Sequence, residues 1–384
     1  MPERVFGPSS SHGVLVNAGS IIKARIRQES GDTQTLKHLR FGVAQLEPQG
    51  TGMVPLPGAP GPTGPIFTTG AWIAAAHQTE PRGLGIVVQN GSPTSLGVDL
   101  PNTGFGVAWS PDGTRIAYGH SGSPYLTIWN IEADEAETGW PTLTGGGRSL
   151  AWSPDGSRLA VPTSDGSGGP NLYVIDVESK QVESGWPSLA SFGGVCSFSP
   201  DGSRLACGHA GSPRLTVIDT GTKQVESGWP SFSSSVNGAA WSPSGDRLAV
   251  RPATGSPNYS VIDTATRTIE SGWYSDIGSN SQGVAWSPDG QKLALSDAGE
   301  LVVIDISDIG EKEAGWPETL GIGGLAHIAW WPDGGTSIAA VGGSGDHLAV
   351  VDADTKTLEV GWPTLPNNGN AVAFAFDPGN VTSG

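Results

Sequence analysis

Cysteine, methionine and tyrosine are scarce in this chain of 384 residues, which contains 2 Cys, 2 Met and 5 Tyr. Two cysteines are too few for a scaffold held together by disulfides. Cys196 and Cys207 flank one predicted hairpin turn, which leaves two interpretations open: a pair of buried thiols, or one cross-strand disulfide. Neither interpretation identifies a cellular compartment.

Long apolar runs are also missing from the sequence. No run approaches the roughly 20 residues that a transmembrane helix requires. The first residues lack the basic segment followed by an apolar core that marks a secretory signal peptide. We therefore expect no membrane span and no secretory leader.

Motifs that carry common catalytic chemistry are absent as well. The sequence has no Gly-x-Ser-x-Gly, no Gly-Lys dipeptide for a phosphate loop and no His-Glu-x-x-His. His120 and His209 recur at equivalent positions, which favours structural turn residues over metal ligands. Asp352 and Asp354 lack the remaining ligands of a calcium loop. We expect a protein that is not an enzyme and has no metal and no cofactor.

Positive charge is the other scarce property. The chain has 20 Lys and Arg against 37 Asp and Glu, for a net charge of −17. Residues 1–65 carry +2 and the remainder carries −19. An acidic body of this size repels phosphate, so nucleic-acid binding is not expected. The charge also keeps a glycine-rich surface soluble.

Glycine, proline and tryptophan are abundant, with 58 Gly, 30 Pro and 14 Trp. A turn motif, Trp-Ser-Pro-Asp-Gly or a close variant, recurs at intervals of 43 to 46 residues. Proline and aspartate suit the middle of a type I turn and glycine accepts positive φ, so each copy predicts a hairpin. The aromatic residues of the copies are Trp109, Trp152, Phe198, Trp241, Trp286, Trp330 and Phe376.

A second motif, Gly-Trp-Pro, recurs in step with the first, with a Gly-Trp-Tyr variant at Tyr274. Each unit therefore has four short predicted strands, a to d, separated by turn signals. Tryptophans at equivalent positions of successive units are expected to pack between the units.

The repeats resemble those of WD-repeat propellers, and the Ser-Pro-Asp-Gly turn followed by Arg-Leu-Ala is similar to the TolB-type propeller repeat. The resemblance implies an all-β fold, a β-propeller over residues 71–384, and six complete units plus one composite unit made from the two ends of this range predict seven blades. Residues 71–100 carry three strand signals and Ala371–Phe376 carries one. We expect the last strand to pair with Ala71–His77 and close the ring.

Residues 1–54 do not share the repeat and are predicted to form a β-hairpin arm. One strand of this arm has a basic face made of Lys23, Arg25 and Arg27, which are candidate anchor residues. Residues 55–70 form a spacer rich in proline and glycine. Its Gly-X-Y triplets are collagen-like, but they are too few for a triple helix, and a stiff polyproline segment is favoured.

Large residues that depart from the repeat are better candidates for contact with a partner than residues that obey it. These candidate partner-binding residues are Tyr125, Trp129, Tyr173, Arg214, Arg251, Tyr259 and Tyr274.

The sequence thus suggests a structural or adhesion module of a larger assembly. The arm would dock to other chains and the propeller would bind a cell-surface glycan or protein. The spacer resembles short segments of phage fibre proteins, which implies a tail-associated or capsid-decorating virion protein. The alternatives are a bacterial, cytoplasmic scaffold for soluble complexes and a propeller glycosidase or lyase acting from the central channel.

Overall fold

The computed structural model describes residues 71–78, 83–89, 92–163, 171–254, 258–278, 283–297, 300–316, 320, 322–331, 337–345, 347–360, 362, 365 and 369–376. The chain divides into the units Met1–Pro60 and Gly61–Gly384, and every described residue belongs to the second unit. The predicted arm and spacer, with Lys23, Arg25 and Arg27, lie outside the described residues.

The regular elements of the described residues are all β-strands. No helix in this part of the chain is long and apolar enough to cross a membrane. The strands are β1 Ala71–His77, β2 Gly83–Gln89, β3 Ser92–Val98, β4 Gly104–Trp109, β5 Arg115–His120, β6 Leu126–Asn130, β7 Glu135–Ala136, β8 Ala151–Trp152, β9 Arg158–Pro162, β10 Leu172–Asp176, β11 Gln181–Val182, β12 Gly193–Phe198, β13 Arg204–His209, β14 Leu215–Asp219, β15 Gln224–Val225, β16 Val236–Trp241, β17 Arg247–Pro252, β18 Ser260–Asp263, β19 Thr268–Ile269, β20 Val284–Trp286, β21 Lys292–Asp297, β22 Glu300–Asp305, β23 Ile322–Trp330, β24 Ser337–Gly345, β25 Leu348–Asp352, β26 Thr357–Leu358 and β27 Gly369–Phe376.

Six antiparallel sheets are each built from one contiguous segment, and we number them in chain order. They are sheet 1 (β4–β7), sheet 2 (β8–β11), sheet 3 (β12–β15), sheet 4 (β16–β19), sheet 5 (β20–β22) and sheet 6 (β23–β26). The expected all-β propeller fold is confirmed. Sheet 5 has three strands in the described structure, and Glu313 lies where the other sheets have their fourth. The Glu313 N–H donates to the Val303 carbonyl of the third strand.

A further, composite sheet combines the two ends of the described chain in the order β27-β1-β2-β3. β1 pairs antiparallel with β27, with Ala71 opposite Phe376 and Ala76 opposite Ala371. On one side Ile73 packs into a cluster with residues of sheet 6. On the other side Ala371 packs into a cluster with residues of sheet 1. The composite sheet therefore lies between sheets 6 and 1.

The Ser-Pro-Asp-Gly copies form the predicted turns. In the first copy the Gly113 N–H donates to the Ser110 carbonyl at 2.9 Å, and Gly113 has φ of +67°. The Ser110 hydroxyl donates to Asp112 at 2.6 Å and accepts from the Arg115 N–H at 2.9 Å. The motif serine and aspartate thus fix the hairpin that joins strands a and b.

Tryptophans join neighbouring sheets, as the repeat predicted. The indole N–H of Trp152 in sheet 2 donates to the Ala108 carbonyl in sheet 1 at 3.2 Å. Trp140 of sheet 1 meets Trp152 edge-on, with ring centroids 6.5 Å apart. Such pairs add attraction beyond the area they bury. Equivalent pairs are Trp229–Trp241, Trp273–Trp286 and Trp316–Trp330.

Charged residues near the outer edges of successive sheets form ion pairs within and between those sheets, and we call them the rim cluster. Glu137 of sheet 1 accepts from Arg115 of the same sheet at 2.6 Å and from Lys180 of sheet 2 at 2.9 Å. The Trp140 indole donates to the same carboxylate at 3.1 Å. Desolvation raises the pKa of Glu137, but these hydrogen bonds outweigh it and lower that pKa to about 2. The arrangement recurs at Glu183, Glu226 and Glu313.

The rim cluster makes part of the stability depend on pH. A carboxylate whose pKa is lowered on folding stabilises the folded state above its unfolded pKa. That contribution is fully present above about pH 4.5 and is lost as the pH falls through the folded value of about 2.

Candidate binding site at the inner strands

The first strands of neighbouring sheets contact one another, so they form the inner wall of the propeller. In five sheets the first strand contains a β-bulge. At that point its pairing with the second strand shifts by one residue. A bulge of this kind re-aims a side chain and occurs often beside binding sites. The bulged positions are Phe105, Gly194, Asn237, Ala326 and Asn370.

A cleft of about 430 Å³ opens beside the bulged position of sheet 3. Its walls come from three successive segments, around sheets 2, 3 and 4. A ligand cleft in a protein typically falls between about 300 and 1,000 Å³. The lining residues are Arg148, Phe192, Gly193, Gly194, Ala210, Ser235 and Asn237. We call this feature the mouth cleft.

Gly194 lies at the bulged position of sheet 3 and lines the mouth cleft. The positions equivalent to it on sheets 1 and 4 carry Phe105 and Asn237, whereas Gly194 has no side chain. A Cβ at Gly194 would lie 3.1 Å from the Val236 carbonyl oxygen, which is closer than most real contacts. A side chain at this position would therefore crowd the backbone of sheet 4, and glycine permits the close approach of the two sheets beside the cleft.

Arg148 supplies the positive charge of the mouth cleft. Its side chain is exposed, and the guanidinium carbon lies 5.6 Å from the centre of the Phe105 ring. This cation–π contact orients the planar guanidinium and leaves its N–H groups available. None of the lining residues of the cleft is acidic.

The apolar part of the mouth cleft is the ring of Phe192, which is 48 % exposed. The Phe192 carbonyl accepts from the Ala210 N–H at 3.2 Å, which fixes the backbone below the ring. Asn237 and Ser235 add an amide and a hydroxyl on the side of sheet 4. The cleft thus combines one cation, one aromatic face and two neutral polar groups.

Four of the predicted partner-binding residues take part in local packing. Tyr125 has φ of +70° and packs half-buried beside sheet 2. Trp129 is half-buried between sheet 1 and the composite sheet. The Tyr173 hydroxyl bonds Thr144 at 2.8 Å, and Arg214 donates to the Phe232 carbonyl at 2.8 Å. None of the four lines the mouth cleft.

The other three lie together between sheets 4 and 5. Arg251 is 0 % exposed and donates to the Ser296 carbonyl at 3.0 Å. Tyr259 is 1 % exposed, and its hydroxyl donates to the Tyr274 carbonyl at 2.5 Å. Buried side chains cannot contact a partner at the surface, so this placement argues against a contact role for Arg251 and Tyr259.

Tyr274 departs from Gly-Trp-Pro for a structural reason. Its backbone N–H donates to the Ile309 carbonyl at 2.6 Å. Proline has no N–H and could not make this bond. The turn that contains Ile309 belongs to sheet 5, so the tyrosine provides a tie to the next sheet.

The predicted structural histidines and cysteines are buried. His120 and His209 bond Thr127 and Thr216 at 3.0 and 2.8 Å. Burial lowers the pKa of both imidazoles, so they are neutral at pH 7. Cys196 lies opposite Cys207 on neighbouring strands, and both thiols are free. Among the described residues no three potential metal ligands come together.

The sequence reasoning did not single out Arg148, Phe192 or Asn237. A usable signal was present, because Arg148 and Asn237 each stand four positions before the motif tryptophan of their unit. Phe105 and Gly194 occupy the same position in two other units. Variation at one position of an otherwise regular repeat marks a position that the scaffold does not constrain.

Comparison with known proteins supports the fold and assigns neither a family nor an activity. No protein-family model and no curated protein sequence matches the chain. Among solved structures it is similar to hydrazine synthase from Kuenenia stuttgartiensis, with a TM-score of 0.53 and 18 % identity. The match covers 65 % of this chain and 77 % of that one. At this identity the similarity shows a common fold alone.

Proposed function

We propose that this chain is a non-enzymatic adhesion module that binds a cell-surface glycan in the mouth cleft. The observation that carries the proposal is the combination of Arg148, Phe192 and Asn237 in one open cleft. The C–H face of a sugar ring packs on an aromatic ring, and its hydroxyls bond amide, hydroxyl and guanidinium groups.

The scaffold in this proposal is a seven-bladed ring closed by β27. Six contiguous sheets and the composite sheet would be the blades. Support comes from the pairing of β1 with β27 and from the packing of the composite sheet against sheets 6 and 1. A closed ring has no open sheet edge at its ends and holds the mouth cleft in a fixed shape.

We further propose that residues 1–54 dock the chain to a larger assembly, with a virion tail or capsid as the favoured setting. A small hairpin is marginal in water alone, so strand addition to another chain would order it. Many copies on one particle would strengthen weak glycan binding through multivalency. A scaffold for soluble complexes is the first alternative.

An enzyme is the second alternative, and the lining of the mouth cleft favours binding over hydrolysis. Most glycosidases use a pair of carboxyl groups. The residues that line the mouth cleft include no Asp, Glu or His.

A panel of immobilised glycans, probed with the full-length chain, tests the binding role. We expect at least one glycan to be bound, and Phe192→Ser to weaken that binding about tenfold because the aromatic platform is lost. The matched control is Val360→Ser, which removes an apolar side chain that is 70 % exposed outside the cleft. The bound glycans should be recovered at their original length by mass spectrometry. Shortened glycans would support the enzyme alternative instead.

A further inference from the structure

We propose that the mouth cleft selects sugars that carry a carboxylate, such as a uronic acid, and that Arg148 binds this carboxylate. The inference rests on the proposed glycan-binding role and adds the chemical class of the ligand. Guanidinium and carboxylate match each other as two parallel N–H···O bonds, which an uncharged sugar cannot provide.

Arg148 differs from the arginines that follow the turn motifs. Arg115, Arg158 and Arg204 each form an ion pair with a glutamate of the same sheet at 2.6 to 2.9 Å. Within the described part of the chain Arg148 has no such pair, and its contact is with the ring of Phe105. Its donors are therefore directed to solvent at the cleft rather than used by the scaffold.

The net charge of the whole chain favours some anionic ligands of the mouth cleft over others. A net charge of −17 repels polymers that are dense in sulfate or phosphate. A single carboxylate that enters the mouth cleft instead meets one guanidinium and no acidic lining residue. A sugar that is neutral apart from one carboxylate suits the cleft best, because the acidic chain repels it little and Arg148 attracts it.

The remaining lining residues suit the rest of such a sugar. Arg148 lies on the side of sheet 2 and Asn237 on the side of sheet 4, with Gly194 of sheet 3 between them. A carboxylate at Arg148 would place the sugar ring over Gly194 in the middle of the cleft. Its hydroxyls would then face Asn237 and Ser235, and its apolar face would meet Phe192.

The test is a titration of the full-length chain with free sugars, followed by saturation-transfer NMR of the ligand. Glucuronate and galacturonate are compared with glucose and galactose. We expect at least one acid to bind ten times more tightly than its neutral counterpart. Arg148→Gln should remove that difference, because it weakens the binding of the acid much more than the binding of the neutral sugar. Thermal melts of each variant establish that it is folded.

The matched control is Lys312→Gln, which removes an exposed positive charge outside the cleft. It should leave the preference for the acid unchanged. The proposal is overturned if acid and neutral sugars bind equally, if neither acid binds, or if both variants reduce acid binding to the same extent. These results are separable from the glycan panel, because a neutral glycan bound there keeps the adhesion role while the carboxylate preference fails.

Discussion

Deletion of residues 368–384 is expected to lower the melting temperature by more than about 10 °C, since several kcal/mol of packing are lost from a domain of this size. The deletion removes β27, which pairs with β1 along its whole length. It also removes the buried Ala371 and Val372, which pack against sheets 1 and 6 respectively. The composite sheet would then present an open edge to solvent.

The matched control is deletion of residues 377–384 only, which leaves β27 in place. Differential scanning calorimetry of the three proteins gives the comparison. The shorter deletion should melt within a few degrees of the full-length chain. Equal melting temperatures for all three would show that the pairing of β27 with β1 contributes nothing to stability.

Truncation of a motif tryptophan is the second large effect. Trp241 is 7 % exposed, and it donates to the Ser197 carbonyl in the preceding sheet at 3.0 Å. It also meets Trp229 edge-on with ring centroids 6.0 Å apart. Trp241→Ala should therefore lower the free energy of unfolding by about 3–5 kcal/mol, as for other buried aromatics.

The chain itself supplies the control for this variant. Phe198 occupies the equivalent position in sheet 3 and is 8 % exposed. Trp241→Phe should keep most of the packing and lose the indole hydrogen bond, at a cost of about 1 kcal/mol. Denaturant unfolding measures both values. A loss below about 1 kcal/mol for Trp241→Ala would mean that the inter-sheet tryptophans do not hold the sheets together.

The fold could be predicted from the sequence because its signals are repeated. Each unit contains the same Ser-Pro-Asp-Gly turn, and the spacing of 43 to 46 residues matches one four-stranded sheet. The pairing of Ala71–His77 with the last strand followed from counting strands at the two ends. Turn chemistry and the number of strands are local properties of the sequence and depend little on distant contacts.

The ion pairs and hydrogen bonds between neighbouring sheets were harder to predict than the strands within each sheet. The glutamates of the rim cluster stand three positions before each Gly-Trp tryptophan, but each also pairs with a lysine or arginine of the next sheet. Tyr274 was chosen as a contact candidate because it breaks the repeat, whereas its N–H completes a bond to Ile309. A departure from the repeat can thus compensate for a neighbouring turn as well as create a binding surface.

The mouth cleft depends on register shifts that the sequence does not show directly. A bulge moves one residue out of the regular alternation of a strand. Whether Phe105 or Asn237 faces the wall or the opening therefore requires the strand pairing itself. Arg148 and Phe192 come together only because successive sheets bring their starting segments to one end of the inner wall.

The central claim is that attachment and recognition belong to different parts of the chain, and co-sedimentation with particles from the chain's own source tests it most directly. The full-length chain, the fragment 66–384 and the Arg148→Gln variant are each mixed with particles that lack the protein. The account predicts that the fragment stays in the supernatant yet binds glycan, while Arg148→Gln sediments normally and has lost the preference for the acidic sugar. Normal sedimentation of the fragment would contradict the account, because the propeller itself would then carry the attachment.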